Sequence, residues 1–132
     1  MCDCDEVLQY RVSFVGDEIE AWLKGAILEK TDCGGLSVDK FNNLFYVDMK
    51  VRYGSQEDTQ INKINRDLLR TEKYPVELKN VMYEGASSHA ARNVRDIAIE
   101  KEYLYWTNDS HHDGHGGVHK AFTEPFIVAE PF

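Results

Sequence analysis

Two stretches about sixty residues apart carry nearly the same message, and that duplication constrains the fold more than any other feature of the chain. The first runs Leu36-Ser-Val-Asp-Lys-Phe-Asn-Asn-Leu-Phe-Tyr-Val-Asp48. The second runs Ile97-Ala-Ile-Glu-Lys-Glu-Tyr-Leu-Tyr-Trp-Thr-Asn108. Each is a short apolar strand ending in an acid, a polar turn, and an aromatic-rich strand ending in Asp or Asn. A third match follows each copy, since Ile61-Asn-Lys63 corresponds to Val118-His-Lys120. Repetition on this scale predicts a repeat architecture, in which one supersecondary unit cannot bury its apolar face alone and stacks on a neighbour.

The unit Leu104-Tyr-Trp-Thr-Asn108, with Leu44-Phe-Tyr-Val-Asp48 as its weaker copy, resembles a blade of the YWTD or NHL-like β-propeller families. The second copy has Asn108 where the family has Asp, and the first keeps only Tyr46 and Asp48. The resemblance covers roughly residues 34 to 132. It implies an all-β fold, a partial β-propeller built from four-stranded antiparallel blades. Residues 1–33 then form the leading strands of an incomplete blade, 34–93 the first full blade and 94–132 the second. First-blade strands are expected near Leu36–Asp39, Leu44–Asp48, Gln60–Asn65 and Pro75–Val81. Those of the second fall near Arg95–Glu100, Tyr103–Asn108, Gly117–Thr123 and Phe126–Ala129.

Ahead of the repeat, Leu8, Tyr10, Val12 and Phe14 alternate with Gln9, Arg11 and Ser13, the period of a strand. Ile19 to Lys30 supplies one or two more strands, although Ala21 to Glu29 also reads as a short helix. Thr31-Asp-Cys-Gly-Gly35 reads as the connection to the first full blade, and Phe41-Asn-Asn43 as a tight turn, because Asn tolerates positive φ. The total is about two and a half blades, whereas a propeller closes with ~4–8. Such a chain cannot close a ring alone, and its uncovered ends need neighbours.

Charge and composition narrow the function. Fifteen basic against twenty-three acidic residues give a net charge of −8, which repels phosphate backbones and argues against nucleic-acid partners. No window approaches the ~20 apolar residues of a membrane span, and the start lacks the basic and apolar regions of a secretory signal. The resemblance implies an extracellular or organelle-lumen setting. Asn108-Asp-Ser110 matches a glycosylation acceptor there, within the blade signature, where Asn108 has a turn to close. Cys2, Cys4 and Cys33 are odd in number, so at least one thiol is free or bonded to another chain. Either Cys2 or Cys4 can reach Cys33, but unpaired thiols near the terminus are the simpler expectation.

Recognition residues are sought on the loops between strands. Tyr53 and Gln56 lie in the loop from Met49 to Thr59, Ser88, His89 and Arg92 in the connection from Glu84 to Asn93, and Trp22 in the leading segment. The loop from Ser110 to His119 holds four of the five histidines and a carboxylate. His111, His112, Asp113, His115 and His119 are therefore candidate divalent-metal ligands, adventitious binding included. Their spacing matches no established zinc signature, and a solvated loop explains them equally well. No nucleophile elbow, phosphate-binding loop or His-Glu-x-x-His motif occurs. Ser87-Ser-His89 makes no catalytic pair, and Asp48 and Asn108 suit turn capping. Phe45, Tyr46, Tyr105 and Trp106 are expected to pack between blades.

These features predict a module that is not an enzyme and requires no cofactor. It acts through protein contacts, as part of a larger propeller or as an accessory subunit, with other proteins or like chains covering its open ends. The second reading is a carbohydrate- or small-ligand-binding module closed by homo-oligomerisation, as in small lectins with two-blade protomers. A remnant of a metal-dependent gluconolactonase-like hydrolase is the third.

Overall fold

A computed structural model of the chain describes residues 2–3, 6–29, 31–49, 59–71, 73–76, 80–85, 91–108 and 117–123. Among these residues ten strands form three antiparallel sheets, accompanied by one short helix. The N-terminal sheet contains β1 (Cys2–Asp3), β2 (Glu6–Val15) and β3 (Glu18–Leu28), in that order. In the middle sheet, β4 (Cys33–Val38), β5 (Leu44–Asp48), β6 (Gln60–Ile64) and β7 (Asn80–Glu84) follow one another as neighbours. The C-terminal sheet repeats that path with β8 (Val94–Glu100), β9 (Tyr103–Asn108) and β10 (Gly117–Phe122).

The duplication extends to hydrogen-bond register. Leu36 pairs with Tyr46 and Val38 with Leu44, while Ile97 pairs with Trp106 and Ile99 with Leu104. Both hairpins carry an irregularity at the same place, between Cys33 and Leu36 in one and between Val94 and Asp96 in the other. On the far side, Tyr46 faces Asn62 and Phe45 faces Lys63, as Trp106 faces His119 and Tyr105 faces Lys120. The correspondence of Ile61-Asn-Lys63 with Val118-His-Lys120 is therefore one of geometry as well as sequence.

Strand β5 is buried along its whole length, because each face of the middle sheet is covered by a different neighbour. Alternation sends Leu44 and Tyr46 to one side, where with Ile64 they meet Val7, Ile27 and Leu28 of the N-terminal sheet. Phe45, Val47 and Ile61 go to the other side and meet Val94, Ile97, Leu104 and Trp106 of the C-terminal sheet. Full burial of such a side chain contributes roughly 1.5–3 kcal/mol. Thr59 ties the second junction: its hydroxyl donates to the Ala91 carbonyl at 2.7 Å and accepts from Val94 N–H at 3.0 Å.

Local chemistry accounts for the turns. Asn42 adopts φ 67°, as expected for an Asn turn. One Asp39 carboxylate oxygen accepts from Phe41 N–H and Asn43 N–H, both at 2.9 Å, and the other accepts from Asn43 Nδ2 at 2.9 Å. Asn43 Oδ1 in turn accepts from Arg66 N–H at 2.9 Å, which seats α1 (Arg66–Arg70) against the hairpin.

Several expectations need correction. Ala21 to Glu29 is not helical, since β3 runs through to Leu28. Cys33, Gly34 and Gly35 belong to β4 rather than to a connection. A β-carbon on Gly34 would stand 2.8 Å from the Arg95 carbonyl oxygen, and one on Gly35 3.1 Å from both Asp96 Cα and Ile97 N, so glycine is what lets β4 and β8 approach. The fourth middle strand is Asn80–Glu84 rather than Pro75–Val81. In the interval, α1 instead sends Leu68 and Leu69 against the Tyr46 side of the core. Cys33 is disulfide-bonded instead of a free thiol. The span expected as the second unit's fourth strand, Phe126–Ala129, lies outside the described residues. Among the described residues no helix is long and apolar enough to cross a membrane.

Candidate functional site

Equivalent faces of the repeated units have opposite fates, and this defines the candidate site. In the middle sheet the face bearing Phe45, Val47, Ile61 and Lys63 lies beneath the C-terminal sheet. Lys63 is only 8% exposed there, with its Nζ 5.6 Å from the Phe45 ring centroid. In the C-terminal sheet the same register positions are Tyr105, Thr107, Val118 and Lys120, and among the described residues nothing covers them. Lys120 repeats the contact at 5.8 Å from Tyr105 and sits 3.8 Å from Tyr103. Phe122 stacks on Tyr103 with centroids 5.2 Å apart. Val118 is 76% exposed, Phe122 49%.

The far part of the β2–β3 hairpin, from Tyr10 to Lys24, is largely exposed on both of its faces. Val7 joins the core against the middle sheet, and Gln9 accepts a 2.6 Å hydrogen bond from Tyr74 OH, so these two positions of β2 face inward. While Arg11 and Trp22 on one face of the hairpin are exposed, alternation places Tyr10, Val12 and Phe14 together on the other. Their cross-strand partners are Leu23, Ala21 and Ile19, so three successive apolar pairs form a ladder along the β2–β3 hairpin. Phe14 is 76% exposed and Ile19 67%.

Inside the stack the polar chemistry is structural. Tyr46 is driven up to about 12 by burial, with Asp48 adding to the shift; Asn62 opposes it. The Tyr46 and Asn62 side chains nevertheless fall short of hydrogen-bond geometry. Tyr83 is also raised by burial and packs on Trp106 at 5.2 Å. A cleft of about 540 Å³ opens between the N-terminal sheet and the β4–β5 hairpin, with Ile27, Leu36, Leu44 and Leu69 beside Lys24 and Arg66 in its lining. Among the described residues that line it there is no carboxylate, thiol or imidazole.

Of the sequence-predicted residues, Trp22 is exposed on β3 opposite Arg11. Arg92 donates from Nε to the Gly85 carbonyl at 2.9 Å and so holds the connection between β7 and β8. His119 lies on β10, stacked on Trp106 with centroids 5.6 Å apart, its Nε2 2.8 Å from Asn108 Oδ1. The same Asn108 oxygen accepts from Gly117 N–H at 3.0 Å and caps the hairpin. Tyr53, Gln56, Ser88, His89, His111, His112, Asp113 and His115 lie outside the described residues. Among the described residues no three His, Cys, Asp or Glu side chains gather as metal ligands.

Phe45, Tyr46 and Trp106 are buried as expected, but Tyr105 points to the bare outer face and is half-buried. Loop-centred reasoning missed that face. Its signal lay in the alternation of Val118, Lys120 and Phe122 with His119 and Ala121, read together with the duplication. No protein-family model matches the chain, and comparison with curated proteins gives no match.

Proposed function

We propose that this chain is a propeller-type module that works without catalysis, through protein–protein contacts made by the end faces of its stacked sheets. In this reading the three sheets are successive blades, with residues 34–93 and 94–132 as the fuller units, set in a larger propeller or in an assembly as an accessory subunit. One observation carries the reading: the Phe45, Val47, Ile61 and Lys63 face is closed by a neighbouring sheet, while its register equivalent, Tyr105, Thr107, Val118 and Lys120, is covered by no other sheet among the described residues. A repeat fold buries each unit's face against the next, so a bare face of the same design calls for another sheet. Covering Val118 and Phe122 would contribute roughly 1.5–3 kcal/mol each as an upper bound. No trio of His, Cys, Asp or Glu side chains gathers as metal ligands among the described residues.

The test places a charge on the face without touching the core. Val118→Glu is expected to change the chain's particle mass or its binding of a hydrophobic dye while shifting unfolding free energy by less than about 0.5 kcal/mol. If neither mass nor dye binding moves, the face is ordinary solvated surface and the reading fails.

A further inference from the structure

We infer that the cleft between the N-terminal sheet and the β4–β5 hairpin is a binding site for a small amphipathic anion, a molecule with an apolar body and one negatively charged head. The cleft lies on the Tyr46 side of the middle sheet, whereas Val118 belongs to the sheet that covers the Phe45 side. The inference therefore goes beyond the module reading and does not depend on it.

The backbone of β2 is shaped to this cleft. Val7, Leu8, Gln9 and Tyr10 are consecutive and all line it, although a regular strand sends alternate residues to opposite faces. The pairing of β2 with β3 shifts register twice in that stretch, between Val7 and Leu8 and between Gln9 and Tyr10. Such irregularities bend a strand and re-aim its side chains. The walls are also held to one another. The Tyr74 hydroxyl lies 2.6 Å from Gln9 Oε1 on β2 and 2.8 Å from the Leu69 carbonyl oxygen on α1, and Asn43 holds the start of α1 through the Arg66 N–H. A cleft so braced is organised before a ligand arrives.

The lining divides by chemistry. Ile27 and Leu44 are core residues only 5% and 6% exposed, and Leu36 packs beside them. From α1 come Arg66, Leu69 and Arg70, the i, i+3 and i+4 positions that share one helix face, and from β3 comes Lys24. These three cations are exposed where the apolar residues are buried, so the cleft grades from a dry apolar end to a wet cationic one. The whole chain carries a net charge of −8, yet no carboxylate occurs among the described lining residues. Asp67, 3.9 Å from Arg66, is 83% exposed and outside the lining. Two guanidinium groups one helical turn apart suit an anionic head, because each can donate two parallel hydrogen bonds to it. The volume of about 540 Å³ falls within the ~300–1,000 Å³ of small-molecule sites.

Equilibrium dialysis of the full chain tests this with decanoate, decanol and inorganic phosphate, the two amphiphiles kept below the concentration at which they self-associate. Decanoate is expected to saturate at one site per chain and to bind about 10-fold or more tighter than either control. Arg66→Gln and Arg70→Gln, both at exposed positions, each weaken decanoate by about 5-fold. Val38→Asp, at a lining position 54% exposed, sets a carboxylate in the cleft and weakens it by about 10-fold. Arg11→Gln makes an equal charge change on β2 outside the lining and leaves binding unchanged. Decanol bound as tightly as decanoate overturns the anionic head, and phosphate bound as tightly overturns the apolar body. Absence of saturable decanoate binding, or binding indifferent to both arginine substitutions, overturns the site. None of these outcomes touches particle mass or Val118, so failure here leaves the module reading standing.

Discussion

Tyr46 and Asn62 stand directly opposite one another on β5 and β6, both fully buried, yet the phenolic oxygen and both polar atoms of the carboxamide complete no hydrogen bond. The equivalent pair, Trp106 and His119, stacks and passes its polar atom to Asn108. Burial holds the Tyr46 hydroxyl protonated to about 12 against an ordinary value of 10.0. Between those pH values the unfolded chain gives up this proton and the folded chain keeps it, so stability falls as pH rises through the window. The loss expected by pH 12 is about 2 to 3 kcal/mol. Urea unfolding at stepped alkaline pH should show Tyr46→Phe free of most of that loss. At neutral pH the same variant should be about 1 kcal/mol more stable, because a buried group without a partner has been removed.

Asp39 organises the β4–β5 turn with three hydrogen bonds, and Asn43 carries the connection on to Arg66. Asp39→Ala leaves two backbone N–H groups and the Asn43 amide without that acceptor. A cost of about 1–3 kcal/mol is expected in equilibrium unfolding. Hydrogen exchange should quicken at the turn and in α1, while the β8–β9 hairpin keeps its protection.

Gly35 lies against the Asp96 and Ile97 backbone, and the Asp96 carboxylate oxygen Oδ1 occupies the space a β-carbon would need. Gly35→Ala should force β4 and β8 apart at a cost of about 1–3 kcal/mol. The check is thermal unfolding, in which a midpoint equal to wild type would show that the two sheets do not meet this closely.

Cys33 is disulfide-bonded, and the chain's other cysteines are Cys2 and Cys4. Any such bond closes a loop of about thirty residues, which corresponds to roughly 3.6 kcal/mol of stabilisation in the chain-entropy treatment. Cys33→Ser, or reduction of the wild type, should lower unfolding free energy by about that amount. Thiol counting on the native chain should find one reactive group and, after reduction, three.

Much of this molecule was legible before any coordinate. The duplicated aromatic-rich runs Leu44 to Asp48 and Tyr103 to Asn108 read as strands, alternation does the same for Leu8 to Phe14, Asn42 falls in an expected turn, and the matching of the two copies predicts a shared design. These properties are local, since a period of two and a positive-φ residue act within a few positions of themselves. The sequence could not say which side of each strand is covered, because a face is buried only when a segment far along the chain arrives upon it. Tyr105 and Phe45 occupy matching positions, and only the arrival of the C-terminal sheet over Phe45 separates them. Gly34 and Gly35 read as linker until β8 lies against them. Likewise α1 is a helix of five residues, too short to hold itself in water, and it exists because Leu68 and Leu69 find the Tyr46 side of the core. Periodicity and duplication determined the strands and their pairing, whereas tertiary packing decided which faces remain open for a partner.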